Sequence, residues 1–122
     1  MTVGQMLAHV AVPYEYEFMP EKYGPPAKGF KRSMMRLLLK SIVAGPKPYK
    51  KNSRTASDFL ITETKEFEFE RDRLIEYLRK TQQLGVDHFV AKPSHSLGSL
   101  TSEEWNNMFY KHLDHYLKQF GV

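Results

Sequence analysis

Four side chains combine the ability to bind protons or metal ions with helical spacing: His9, His112, His115 and Tyr116. His112 and Tyr116 lie one turn apart on the same face of a predicted helix, and His115 lies on its inward half. His9 lies on a different predicted helix, and a bundle can bring imidazoles from facing helices together. Neutral imidazole binds zinc, nickel and iron. The spacing therefore predicts a divalent-metal site, and the simpler interpretation is a hydrogen-bonded, metal-free histidine and tyrosine core.

The other two histidines, His88 and His95, fall in a predicted loop. We interpret His88 as ordinary loop packing. His95 precedes the last helix, where it either reaches the site or bonds to the turn. The sequence has no cysteine, which excludes a thiolate nucleophile, a disulfide framework and a cysteine-based zinc site.

Capping signals define the two helices that position the candidate ligands. Thr101 and Glu104 form a capping box, and Gly121 is the left-handed residue that ends many helices. Thr2 and Gln5 form a second capping box, which predicts a helix through residue 10. Because proline disrupts helix interiors, Pro13 leaves open whether that helix ends there or continues through residue 18.

The rest of the chain predicts two more helices. An apolar segment over residues 30–43 ends at a Gly-Pro pair, and a long periodic segment over residues 57–84 begins at Thr55 or Ser57 and stops at Gly85. Residues 46–54 and 86–100 are predicted loops. The sequence therefore predicts one all-α domain over residues 1–122, a bundle of about four helices with two long loops.

Composition narrows the class of protein. The chain lacks a secretory signal and a membrane-length apolar run, so we expect a cytoplasmic protein without a membrane partner. The net charge of +4 is spread over residues 28–54 and lacks the density of a nucleic-acid footprint. Residues 47–54 interleave Tyr49 with cations, a composition that suits an anionic substrate or simply a solvated loop.

Two segments resemble a known family. Residues 2–9 read TVGQMLAH, and residues 100–105 and 110–121 read LTSEEW and YKHLDHYLKQFG. These segments are similar to the TVxQMLAH and LTxEEW…YKHLDHHLRQFG patterns of an uncharacterised bacterial branch of the DinB/YfiT-like superfamily. The resemblance implies an up-down four-helix bundle with a three-histidine metal site. Some members are metal-dependent transferases or isomerases that act with low-molecular-weight thiols.

Carried over by position, the resemblance makes His9 and His112 the first and second metal ligands. Tyr116 occupies the third position, where the family pattern has histidine, and His115 lies one residue earlier on the helix. The resemblance therefore implies a divalent metal (zinc, nickel or iron) and a small-molecule or thiol substrate, without naming a reaction. The alternative function is a non-catalytic bundle that binds a small ligand or a protein. The branch also has an additional helix before the segment that begins here at Met1. The resemblance therefore predicts either that the start of the sequence is truncated or that an apolar groove at the first helix is covered by another chain, such as a homodimer partner, or by a swapped element.

Overall fold

The computed structural model describes residues 1–50 and 57–122 and is all-helical over those ranges. Its four α-helices are α1 (Val3–Phe18), α2 (Gly29–Ala44), α3 (Phe67–Val90) and α4 (Ser102–Gln119). Short 3₁₀ turns at Pro20–Lys22 and Ser57–Phe59 lie between them. The predicted all-α class is confirmed.

The central element of the fold is α1. Its capping box is present: the Thr2 hydroxyl accepts from the Gln5 backbone N–H, and the Gln5 side chain accepts from the Thr2 N–H. Pro13 lies inside the helix, which continues to Phe18. All residues from 6 to 15 are buried, packed mainly on α3 and α4. The expectation of an exposed apolar groove along this helix is therefore wrong, because the chain itself covers α1.

Both predicted ends of α4 are confirmed. The Thr101 hydroxyl accepts from the Glu104 N–H at 3.2 Å, and the Glu104 carboxylate accepts from the Thr101 N–H at 3.0 Å. Gly121 follows the helix with a φ of 79°, a conformation that favours glycine. Trp105, in the second turn, is almost completely buried and packs on Phe89 and Phe109. This anchor holds α4 against α3.

The predicted start of α3 is wrong. The helix begins at Phe67, ten residues after the predicted first residue, Ser57; Thr55 lies outside the described residues. The segment before α3 instead crosses the start of α1. There the Gln5 side chain donates to the Glu63 carbonyl at 3.0 Å, and a Cβ on Gly4 would lie only 2.3 Å from the Lys65 carbonyl oxygen. These contacts with α1 use backbone carbonyls that a continuous helix would bond internally.

The predicted end of α3 is partly right. Gly85 has a φ of 76°, which breaks the helical backbone at the predicted position. Helical structure then resumes after the kink and continues to Val90. The loop before α4 therefore begins at residue 91, and the prediction of a loop from residue 86 was wrong by five residues.

The helix α2 is held by polar contacts with α4 at its carboxyl end and with the loop before α4 at its middle. The buried Lys111 ammonium of α4 donates to the carbonyls of Ile42 and Gly45 at 2.6 and 2.9 Å, which places a positive charge at the negative end of the α2 dipole. Arg36 donates to the carbonyls of Leu97 and Ser99 in the loop before α4. The inward face of α2 is thus partly polar. None of the helices in the described ranges is long and apolar enough to span a membrane.

The buried carboxylate of Glu15 forms a cluster of hydrogen bonds near the carboxyl end of α1. Glu15 is almost fully buried, and its oxygens accept from Lys22, Arg73 and Tyr23 at 2.6, 3.0 and 3.0 Å. Burial alone would raise the pKa of Glu15, but the hydrogen bond from Lys22 and the charge of Arg73 outweigh it and hold that pKa below the usual 4.5. The cluster ties α1 to α3.

We predict that Glu15→Gln lowers the free energy of unfolding only at pH values at which the Glu15 carboxylate is ionised. A carboxyl with a lowered folded-state pKa stabilises the fold above its unfolded pKa, and that stability is lost as pH falls through the folded value. At pH 7 the variant should therefore lose about 2 kcal/mol of unfolding free energy, and this difference should shrink below pH 4.5. Urea unfolding at pH 7, 5 and 3 measures it. Glu76→Gln, which removes an exposed partner of Arg79, is the matched control and should change stability little. A pH-independent loss in Glu15→Gln would contradict the account.

Candidate functional site

His9 of α1 and His112 of α4 meet inside the bundle. Their Nε2 atoms are 3.2 Å apart and their ring centroids 4.9 Å apart. The prediction that these two imidazoles converge is therefore confirmed. Two nitrogens at this separation either share a hydrogen or share an ion, and the protonation of each ring decides between these possibilities.

A backbone carbonyl fixes the protonation of His9. Its Nδ1 lies 2.8 Å from the carbonyl oxygen of Phe59, in the 3₁₀ turn before α3. A carbonyl only accepts hydrogen bonds, so Nδ1 carries the hydrogen and the Nε2 atom of neutral His9 presents its lone pair. That lone pair faces His112. Metal-binding histidines are commonly oriented by such a carbonyl on the second ring nitrogen.

Burial keeps both rings neutral. It lowers the pKa of His9, against the opposing effect of the Phe59 hydrogen bond, and the charge of His115 lowers it further. Burial, with the charges of His9 and His115, lowers the pKa of His112 to about 3. Neutral imidazole is the form that binds metal ions. At neutral pH the pair can therefore bind a cation with no net loss of a proton, by a shift of the His112 hydrogen from Nε2 to Nδ1.

Tyr116 lies against both imidazoles, as its position one turn after His112 predicts. Its ring centroid is 4.2 Å from that of His9 and 5.2 Å from that of His112, both with edge-to-face geometry. His115 lies on the other side of Tyr116, with its ring centroid 4.9 Å from Tyr116 and 5.8 Å from Tyr49. The structure thus brings His9, His112 and Tyr116 into mutual contact.

No third conventional ligand joins the histidine pair in residues 1–50 and 57–122. Within those ranges, no three His, Cys, Asp or Glu side chains lie close enough to hold one metal ion. His115 therefore does not complete a three-imidazole set with His9 and His112 in this arrangement. Tyr116 occupies the corresponding place beside the pair.

A cavity of about 350 Å³ opens beside the histidine pair. Its lining is mainly apolar and comes from α1, α2, α4 and the loops between the helices. The lining includes Met35, Leu39, Val43, Met108, Tyr16 and His95. The cavity is the size of a small-molecule site, and its apolar walls with a few polar groups are typical of one.

His95, for which the sequence left two alternatives, lines the cavity and also bonds within its turn, where its Nδ1 lies 3.2 Å from the Ser96 hydroxyl. Its ring stacks on Tyr16 with centroids 4.2 Å apart and lines the cavity, while its Nε2 lies 3.1 Å from the Gly24 carbonyl. Tyr16 in turn donates to the Asp58 carboxylate at 2.8 Å. His88 is exposed, packs on Phe89 and lies outside the cavity lining.

Phe59 was not predicted to be part of the site. Its carbonyl orients His9, and its ring contacts both imidazoles edge-on at centroid distances of 5.4 and 5.3 Å. The helical periodicity over residues 57–84 placed Phe59 on a helix face, where its carbonyl would have been bonded within the helix. Tyr49, from the predicted basic loop, also lines the cavity; residues 51–54 of that loop lie outside the described ranges.

The chain was compared with protein families, curated proteins and solved structures. No family model, curated protein or solved structure matches the chain. The geometry of the described residues is therefore the basis for inferring a function, and the family resemblance stays a prediction from the sequence.

We predict that nuclear magnetic resonance will show His9 in a single tautomer. In metal-free protein at pH 7, long-range ¹H–¹⁵N correlations should show hydrogen on Nδ1 and none on Nε2, because the Phe59 carbonyl accepts from Nδ1. Exposed His88 serves as the reference and should show averaged tautomers. Hydrogen on Nε2 of His9 would show that its lone pair does not face His112.

Proposed function

We propose that this chain is a divalent-metal-binding helical bundle in which His9 and His112 are the nitrogen ligands. The observation that supports it best is the 3.2 Å separation of two Nε2 atoms, one of which presents its lone pair. Two nitrogens bound to one tetrahedral zinc at about 2.0–2.1 Å lie roughly 3.3 Å apart. The separation therefore fits a shared ion once the hydrogen of neutral His112 lies on its Nδ1 atom. Zinc, nickel and iron are the candidate metals because imidazole suits all three.

Tyr116 is the third side chain of the proposed site. A neutral phenol is a weaker ligand than imidazole for zinc, since its pKa is near 10 and only the deprotonated oxygen binds strongly. We therefore expect a site of modest affinity, held by side chains that line the cavity. When bound, the metal would supply Lewis-acid chemistry to a ligand held there.

The cavity supports a small-molecule substrate for the proposed site. Its 350 Å³ lies within the range of small-ligand pockets, and its lining includes both histidines. The resemblance to DinB/YfiT-like proteins supports metal-dependent, thiol-assisted group transfer as the reaction class. That class enters the proposal through the resemblance alone.

A second candidate function is a metal-free bundle that binds a small ligand. The lack of a third His, Cys, Asp or Glu beside the pair, within the described ranges, favours it. In this form His112 donates its Nε2–H to the Nε2 of His9, and Tyr116 completes a hydrogen-bonded and aromatic core. The two functions make opposite predictions about metal binding.

We predict that Tyr116→His strengthens divalent-metal binding. A third imidazole beside His9 and His112 should increase zinc affinity by at least about 100-fold, which corresponds to about 2.7 kcal/mol. Titration calorimetry of protein purified without a histidine tag, with zinc and then nickel, measures the effect. His112→Gln should abolish binding in both backgrounds, and His88→Gln should leave it unchanged because His88 lies outside the site.

The same titrations separate the two functions. Stoichiometric zinc binding that His112→Gln removes supports the metal site. If neither wild type nor Tyr116→His binds zinc, the metal-free bundle is the better account. Tight wild-type binding that Tyr116→Phe eliminates would show tyrosinate ligation and would contradict the expectation of modest affinity.

A further inference from the structure

The cavity beside the histidine pair is elongated along α2. Its α2 lining comes from one face of the helix over residues 35–43, a rise of about 12 Å. At the carboxyl end of this stretch, the Tyr49 hydroxyl donates to the last carbonyl at 3.3 Å, and the Tyr49 ring lies 6.4 Å from that of His112. Toward the amino end, Arg36 donates to the Leu97 carbonyl in the loop before α4. The histidine pair therefore lies at one end of the cavity, and this loop lies at the other.

The side chains along the length of the cavity are apolar. They come from α2, from α4 and from the loop between α3 and α4: Met35, Leu39, Val43, Met108 and Leu97. Leu39 is 39% exposed, so a molecule packed beside it would remove apolar surface from water, which stabilises a complex. Methionine side chains also adapt their shape to a bound molecule. The body of a bound molecule should therefore be apolar.

Polar groups away from the histidine pair are already bonded within the chain. The Glu17 carboxylate lines the cavity, is 7% exposed and pairs with Lys92 at 2.7 Å. The Ser94 hydroxyl donates to the Gly98 carbonyl at 2.8 Å, and both ring nitrogens of His95 have partners. A molecule that needed hydrogen bonds along its length would have to displace these contacts.

The described lining also offers no counter-ion for a charged molecule. Within residues 1–50 and 57–122 it contains no lysine or arginine. The nearby cations of α2 bond elsewhere, Arg36 to backbone carbonyls and Lys40 to the Glu104 carboxylate at 3.0 Å. The one acidic side chain of this lining, Glu17, is neutralised by Lys92. An ion placed here would lose its hydration without a partner of opposite charge, which is unfavourable.

We propose that the cavity binds an elongated, uncharged molecule, with an apolar body along α2 and one polar end at the histidine pair. The polar end belongs there because His9, His112 and His115 line that part of the cavity. A medium-chain aliphatic alcohol has this shape and chemistry, as have the aldehyde and the amide of the same length. The inference rests on the proposed function in one respect: a metal held by His9 and His112 would meet the polar end.

The test is a nuclear magnetic resonance titration of the full chain with 1-butanol, 1-hexanol and 1-octanol, with EDTA present so that binding does not depend on metal. Affinity should rise about fourfold for each added methylene group that the cavity buries. Octanoate and octylammonium have the same chain with a charged end, and each should bind at least 10-fold more weakly than 1-octanol. Octanoate that binds as tightly as 1-octanol would overturn the proposal.

Two tryptophan variants locate the bound chain. Met35→Trp fills the end of the cavity far from the histidines, so it should weaken 1-octanol binding at least 10-fold and leave 1-butanol binding unchanged. Leu38→Trp is the matched control, because Leu38 is 61% exposed on α2 and lies outside the lining. Equal effects of the two variants would show that the alcohols bind the outer surface of α2, and would overturn the proposal.

Nuclear Overhauser effects fix the direction of the chain. The terminal methyl group of 1-octanol should contact the Met35 methyl group, and the methylene next to its hydroxyl should contact the Tyr49 ring. The reverse pattern would overturn the placement of the polar end. Zinc binding without 1-octanol binding would refute this inference alone. Conversely, 1-octanol binding without zinc binding would refute the proposed metal site and leave the inference standing.

Discussion

The burial of residues 6–15 of α1 is the constraint on which the rest of the structure depends. A helical segment buried on every side must supply a partner for each polar side chain that it carries, because an unpaired buried polar group costs about 1–3 kcal/mol. His9 and Glu15 are two such groups on α1. His9 obtains a carbonyl from Phe59 and a nitrogen from His112, and Glu15 obtains a cation from α3. The polar network therefore follows from the position of one helix.

His9 and Glu15 have different roles because their hydrogen-bond partners differ. Glu15 is an anion matched by Arg73 and Lys22, so its charge is neutralised and the cluster is structural. His9 faces another neutral imidazole, so no charge is neutralised and one lone pair remains directed at the second ring. An added cation would therefore be stabilised at His9, next to the cavity, whereas the charge of Glu15 is already neutralised. This difference is why the proposed metal site lies at His9, and the Glu15 cluster is left as part of the framework.

Local signals predicted much of the fold, and long-range contacts decided the rest. The capping boxes at Thr2 and Thr101 were correct because such boxes depend on residues three apart. The start of α3 was wrong because residues 60–66 make their contacts with α1, which no local pattern reveals. The convergence of His9 and His112 was predicted, but the carbonyl of Phe59 that orients His9 was not. The exposure of apolar side chains on α2, such as Phe30 and Leu37, was also missed, since the apolar content of that segment equally suits a buried helix.

The central claim is that His9 and His112 bind one divalent ion. X-ray absorption spectroscopy of the protein with one equivalent of zinc tests it most directly, because imidazole rings give characteristic multiple scattering. The account predicts two imidazole nitrogens at about 2.0 Å, with oxygen ligands completing the coordination. A spectrum with oxygen ligands alone, or one left unchanged by His112→Gln, would contradict it.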